Sequence, residues 1–195
     1  MDELRGRIAF IQEAERLKDV LRSAHTSSGR HESTAEHTWR LCLMALTFAD
    51  RLGQVDLAKI LKLCVIHDLG EAINGDIPAI EQAASSDKSE REREDLQELT
   101  KTLPPSLQAE ILSLWEDYEH ALSREARIVK ALDKLETIIQ HNQGANPPGF
   151  DYAFNLDYGK QHTATEPLFA EIRAIVDEDT KRNVAKSPRA LPPPK

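Results

Sequence analysis

The adjacent pair His67-Asp68 closes an apolar run, Ile60-Leu61-Lys62-Leu63-Cys64-Val65-Ile66. An imidazole and a carboxylate at the end of a core helix are costly to bury unless something pairs with them, and a divalent metal would do so. Two further donors sit on apolar helical patterns: His37, thirty residues before His67, and Asp133, sixty-five residues after Asp68. Two imidazoles and two carboxylates suit a hydrolytic transition-metal or magnesium site rather than a structural thiolate zinc site. Glu71 follows Asp68 by three residues and shares its helix face. A carboxylate just outside a metal shell can take a proton from metal-bound water. Asp76 follows Gly75 and either returns toward the same pocket or serves only as a turn residue.

Helices must carry these side chains, because nearly every patterned segment has helical spacing. Residues 6–22 place Ile8, Ile11, Ala14, Leu17 and Leu21 at three- and four-residue intervals. A polar stretch, Ser23 to Ser33, reads as a loop with His25 solvated in it. Ser33-Thr34-Ala35-Glu36 resembles a capping box that starts a helix carrying His37, Trp39, Leu43, Leu46 and Phe48. Asp56 caps the helix that ends at His67-Asp68, and Asn74-Gly75 with Pro78 is a stop. Residues 84–89 read as a loop, and Glu90 to Thr100 as a charged, solvated helix. Pro104-Pro105 breaks it; the next helix carries Leu107, Ile111, Leu114, Trp115 and Tyr118, the two aromatics as core residues. Ser123 caps a long helix with Ile128, Leu132, Leu135 and Ile138 on its buried side and Asp133 in its middle. Asn142 to Lys160 is expected as a long loop, with His141 and His162 at the surface. Thr165 is expected to cap a last helix through Leu168, Ile172 and Ile175. No strand and no repeat is apparent. The expected fold is all-α, a compact bundle of roughly six to eight helices, with one domain over residues 1–180 and a basic, proline-rich, disordered tail over 181–195.

Composition narrows the function classes. The formal charge is −8 and the pI near 5.4, which argues against gripping long nucleic acid but not against a small anion held by a metal and one or two basic residues. Cys42 and Cys64 read as reduced core thiols. No signal peptide or membrane-spanning run is visible, so a cytoplasmic protein without a membrane partner is expected.

The ordered set Glu36-His37, His67-Asp68-x-x-Glu71-x-x-x-Gly75-Asp76-x-Pro78 and Lys130-x-x-Asp133-Lys134-x-Glu136 resembles the HD-domain metal-dependent phosphohydrolases. It is most similar to the branch that includes the 5′-deoxynucleotidases. Leu17-Lys18-x-x-x-Arg22, Leu114-Trp115-Glu116-x-Tyr118-Glu119 and Glu125-Ala126-Arg127-x-Val129-Lys130 extend the likeness over roughly residues 16–141. The resemblance implies His37, His67, Asp68 and Asp133 as ligands of one divalent metal and Glu71 as general base or acid. It implies Asp76 as an aid to proton transfer or sugar orientation, and Arg22 as the phosphate holder, where an exposed helix-end arginine was the plainer reading. Members carry a tryptophan close after Arg22; here Ser23-Ala24-His25 follows, which leaves the base and sugar preference open. Binuclear relatives add two histidines between the pair and the last aspartate; here only His120 lies there, so one ion is expected. Its identity among cobalt, manganese, magnesium, iron, nickel and zinc is open.

The implied activity is release of phosphate from (deoxy)nucleoside 5′-monophosphates by attack of metal-bound hydroxide, in a homodimer. Two alternatives share the ligand set: hydrolysis of a longer nucleotide, such as a guanosine alarmone or a nucleoside triphosphate, and a non-catalytic nucleotide-binding protein pinned by its metal.

Overall fold

The computed structural model describes residues 3–76 and 87–187. Among them lie seven helices of ten or more residues: α1 (Glu3–Ala14), α2 (Thr34–Thr47), α3 (Leu57–Ile66), α5 (Asp87–Thr100), α6 (Pro105–Glu119), α7 (Arg124–Gln143) and α9 (Pro167–Lys186). Two single-turn helices, α4 (Glu71–Asn74) and α8 (Lys160–Thr163), and a two-stranded hairpin of β1 (Leu21–His25) and β2 (His31–Ser33) complete the set with three short 3-10 turns. The fold is all-α in character, as expected. The chain divides into two compact units: Met1–Ser23 with Glu32–Lys130, and Ala24–His31 with Ala131–Lys195.

Helix starts follow the local signals. The Ser33 hydroxyl accepts from the Glu36 amide at 3.3 Å while the Glu36 carboxylate accepts from the Ser33 amide at 2.9 Å, a complete capping box at the start of α2. Asp56 accepts from the Lys59 amide at 3.0 Å, and Ser123 from the Ala126 amide at 3.1 Å. Pro105 opens α6, where its missing N–H costs nothing.

In the first unit, α3 packs on α2 and α6, and α5 on α1, α4 and α6. Leu17, Ile66, Leu69, Ala72, Leu96, Leu99, Leu103, Ile111 and Trp115 form its core. The charged helix expected to be wholly solvated is therefore one-sided, with Leu96, Leu99 and Thr100 buried. Gly70 permits the closest approach here: a Cβ at that position would lie 2.9 Å from the Glu92 carbonyl oxygen, so α5 lies directly on the turn that follows His67-Asp68.

In the second unit, Arg173 on α9 organises the segment after α7. Its guanidinium donates to the carbonyls of Asn155 (2.7 Å), Leu156 (2.9 Å) and Tyr158 (2.7 Å) and to the Asp177 carboxylate (2.6 Å). Asp151 caps the 3-10 turn Tyr152–Leu156. The hairpin tip joins this unit through Gln140 Nε2 donating to the His25 carbonyl at 2.6 Å and the Ala145 amide donating to the Thr26 carbonyl at 3.0 Å.

Several expectations are corrected. The polar stretch after residue 20 is a hairpin, and α1 ends at Ala14 rather than reaching Arg22. Its strands are too short and polar to show a periodic signal, although burial alternates from Leu21 to His25. His25 is not a solvated loop residue; it lies half-buried on β1, its ring 4.2 Å from that of His31. His141 is buried, its Nδ1 2.8 Å from Asn155 Oδ1. Thr165 donates to the His162 carbonyl instead of capping, and Glu166 takes the N-cap position. The buried face of α9 is Phe169, Arg173, Val176 and Thr180, leaving Ile175 exposed. Helix α9 also runs through Lys186, into the segment expected as a tail. Residues 87–89 of the expected 84–89 loop already belong to α5, while Pro78, residues 84–86 and the last eight residues lie outside the described residues.

Candidate metal centre and active site

His67 stands at the C-cap of α3, and its Nδ1 lies 2.8 Å from the Cys64 carbonyl oxygen. A carbonyl only accepts, so Nδ1 carries the proton and Nε2 presents a lone pair. That Nε2 sits 3.0 Å from Asp68 Oδ2, which is itself an acceptor. Two acceptors at that separation call for a cation between them, either a proton or a metal. His67 Nε2 is buried and makes no hydrogen bond among the described residues. The residues present therefore fit a divalent metal: an imidazole with its tautomer set by a carbonyl, facing a carboxylate, is the arrangement that metal ligands adopt.

His37, in the first turn of α2, is fully buried, with its Nε2 3.8 Å from Asp68 Oδ2 and its ring 5.4 Å from that of His67. Tyr118 of α6 packs edge-on against the other side of His67 at 5.0 Å. Arg22 comes from β1, where the two-residue period turns it inward with Ala24 while Leu21 and Ser23 face out. Its guanidinium donates to Asp68 Oδ2 at 3.4 Å and lies 3.7 Å from Glu32 Oε2. Burial pushes the Asp68 carboxyl upward, but the charge that His67 and His37 carry in their protonated forms, with that of the Arg22 guanidinium, outweighs it and holds Asp68 well below the usual carboxylate range.

Glu71 opens α4, one turn beyond Asp68 and buried. Thr34 of α2 donates its hydroxyl to Glu71 Oε2 at 3.1 Å. Burial, then the charges of Asp68 and Asp76, push the Glu71 carboxyl up to about 9. Gly75, with φ +85°, reverses the chain so that Asp76 comes back into hydrogen-bond contact with Glu71. Burial and Asp68 raise Asp76 too, against the pull of Arg22 and Lys88. Two carboxyls in such contact hold one proton between them.

The first unit thus brings together Arg22, His37, His67, Asp68, Glu71 and Asp76. Asp133 belongs to the second unit, buried on α7, with Lys134 Nζ 2.9 Å from its Oδ2. Sequence reasoning missed Thr34, Glu32 and the Cys64 carbonyl. Thr34 and Glu32 flank a capping residue and carry no periodic signal, and a carbonyl's role is invisible in residue types.

Buried imidazoles and carboxylates around shared oxygen atoms, with a guanidinium at the rim, define the class: a metal-type hydrolytic centre in a helical scaffold. A family model described as HD domain matches residues 14–173, and the chain belongs to that family. A mouse protein named 5′-deoxynucleotidase HDDC2 is 32% identical over 195 aligned residues, covering 96% of this chain and 94% of its own. Its zebrafish namesake is 36% identical over 184 residues, covering 91% and 90%. Among solved structures, a protein of Magnetospirillum magnetotacticum MS-1 described as a predicted metal-dependent phosphohydrolase superposes with a TM-score of 0.77 at 28% identity, covering 96% of this chain and all of that one.

Proposed function

We propose that this protein is a metal-dependent 5′-nucleotidase that hydrolyses (deoxy)nucleoside 5′-monophosphates to nucleoside and phosphate. The observation that carries the reading is the confrontation of His67 Nε2 with Asp68 Oδ2 at 3.0 Å, beside a buried Glu71 and an inward-turned Arg22. HD-family membership and the names of the relatives support the substrate class.

In this proposal His37, His67, Asp68 and Asp133, the set that the family resemblance implies, would hold one divalent ion, and residues 1–180 act as one catalytic domain. Bound there, a divalent metal supplies a water of lowered pKa and a Lewis acid for a phosphoryl oxygen. Arg22 holds the phosphate through its planar fork, exchanging its bond to Asp68 for bonds to phosphoryl oxygens. Thr34 orients the Glu71 carboxyl, and Asp76 shares its proton. The Glu71–Asp76 pair, which already holds one proton, gives that proton to the leaving O5′ and takes one from the attacking water in its place, so that a monoester dianion and water give an alcohol and hydrogen phosphate.

The oligomer proposed is a homodimer. Trp39 is 65% exposed, and Leu43 and Leu46 with it form an apolar stripe on α2. An antiparallel copy of the same helix would place Trp39 opposite Leu46 about a central Leu43, the self-complementary pattern of a two-fold interface. Trp39→Glu should then convert a dimer to a monomer in light scattering; a wild-type monomer refutes the dimer. No described helix is long and apolar enough to cross a membrane, and the proposed location is the cytoplasm.

The deciding experiment is a phosphate-release screen of nucleotides against a panel of divalent metals. Free phosphate from a monophosphate supports the reading. Pyrophosphate or tripolyphosphate from a longer nucleotide, or binding with no turnover under any metal, overturns it.

A further inference from the structure

Helix α5 brings one more charged side chain to the first unit's site, and neither the family pattern nor the ligand set accounts for it. Lys88 stands one turn before Glu92, and the Glu92 carbonyl lies on Gly70, directly over the turn that carries Asp68 and Glu71. Asn74 of α4 fixes the same surface by donating to both oxygens of Asp95, at 2.7 and 2.9 Å. This docking sets the Glu92 turn of α5 against Gly70, the residue between Asp68 and Glu71. The Lys88 side chain is 29% exposed and its Nζ lies 3.1 Å from Glu92 Oε1. Its charge acts on Asp68, Glu71 and Asp76 rather than being lost to solvent.

We infer that Lys88 is a second phosphate-binding residue of this site, gripping with Arg22 the dianionic phosphate of the substrate. The inference rests on the nucleotidase reading and adds to it a ligand contact from α5.

Charge distribution carries the argument. Glu32, Asp68, Glu71, Asp76 and Glu92 all interact with Arg22 or Lys88. Even with a divalent ion at Asp68 and one proton held between Glu71 and Asp76, Arg22 is already shared between Asp68 and Glu32, so a second cation adds to the hold on a phosphate dianion. An ammonium has three N–H donors, and one bond to Glu92 leaves two for phosphoryl oxygens. The flexible four-carbon stem lets the charge follow the phosphate. The plainer reading is an ion pair between residues four apart on a helix, as solvated helices carry. It does not explain why both partners are largely covered at the place where α5 lies on the turn after His67-Asp68.

The test compares wild type, Lys88→Ala and Lys88→Arg on a deoxynucleoside 5′-monophosphate, with inorganic phosphate and the product deoxynucleoside as separate competitive inhibitors. Loss of a charge-assisted bond to phosphate should lower kcat/KM of Lys88→Ala about tenfold and weaken inhibition by phosphate to the same degree. Inhibition by the deoxynucleoside should stay within about twofold of wild type, because it lacks the bound charge. Lys88→Arg should recover most of the loss. Unchanged inhibition by phosphate, or equal weakening of both inhibitors, overturns the inference. If wild type releases phosphate from no monophosphate, the nucleotidase reading fails by itself. Equilibrium dialysis of labelled inorganic phosphate against the metal-loaded proteins then decides on Lys88: about tenfold weaker binding by Lys88→Ala upholds the contact, and equal binding refutes it.

Discussion

Two buried polar regions handle the same problem in opposite ways. Around Arg173, a guanidinium that is 6% exposed meets three carbonyls and a carboxylate, so its hydrogen-bonding capacity is used within the fold. Around His67, the Nε2 lone pair faces the Asp68 carboxylate at 3.0 Å, and the Glu71 carboxyl is pushed far above its ordinary range. Buried polarity that is satisfied holds a structure together, because each group lost leaves partners unmet. Buried polarity left facing itself is retained for what binds there. By this contrast Arg173 is a structural residue, although it interrupts an apolar face as conspicuously as any ligand.

The contrast breaks most sharply at Asp68. Asp68→Ala should abolish metal binding, measured by elemental analysis of the purified protein, and lower phosphate release by about a thousandfold or more; a variant with full metal and full turnover ends the proposed mechanism. Glu71→Gln should keep its metal and lose about 10²- to 10⁴-fold in turnover, the usual worth of a general acid–base group. A proportional loss of metal would make Glu71 a ligand instead. Arg173→Ala should leave the carbonyls of Asn155, Leu156 and Tyr158 without donors and cost about 3 kcal/mol, read as a lower melting temperature. An unchanged melting temperature would remove the structural reading.

The most gradual effect is one of pH. In metal-free protein the Glu71 pKa stands near 9 against an ordinary 4.5, so the folded state binds more protons than the unfolded chain between those values. Stability therefore falls as pH rises across that window, by at most about 1.4 kcal/mol per unit. Asp68 acts in the opposite sense, its contribution being lost only as pH falls into the acid range below ordinary carboxylates. Melting curves of chelator-treated protein from pH 5 to 9 should slope downward. Glu71→Gln should flatten that slope, and an equal slope in the variant would place its origin elsewhere.

Much of this molecule was legible in its residues. The caps Ser33, Asp56 and Ser123 lie where the spacing put them, because a cap is a bond between residues two or three apart. The pairing of Asp68 with Glu71 across one helical turn follows from the same short range. The hairpin was hidden because a five-residue and a three-residue strand of mixed polarity give no period to read. Helix faces were the other failure. Trp39, Leu43 and Leu46 have the spacing of a core stripe yet are exposed, while Thr34, His37, Leu41, Met44 and Ala45 are covered. On α9 the buried face is set by Arg173, a charge where the pattern asked for an apolar residue.

The chain itself determined where helices begin and which ligand-type residues exist, since propensity, capping and spacing act over a few residues. Tertiary structure decided that β1 turns Arg22 inward, that Thr34 reaches Glu71 from thirty-seven residues away, and that the Lys88–Glu92 turn of α5 lies on Gly70. Those outcomes depend on which surfaces meet, and burial is a property of neighbours that no local pattern contains.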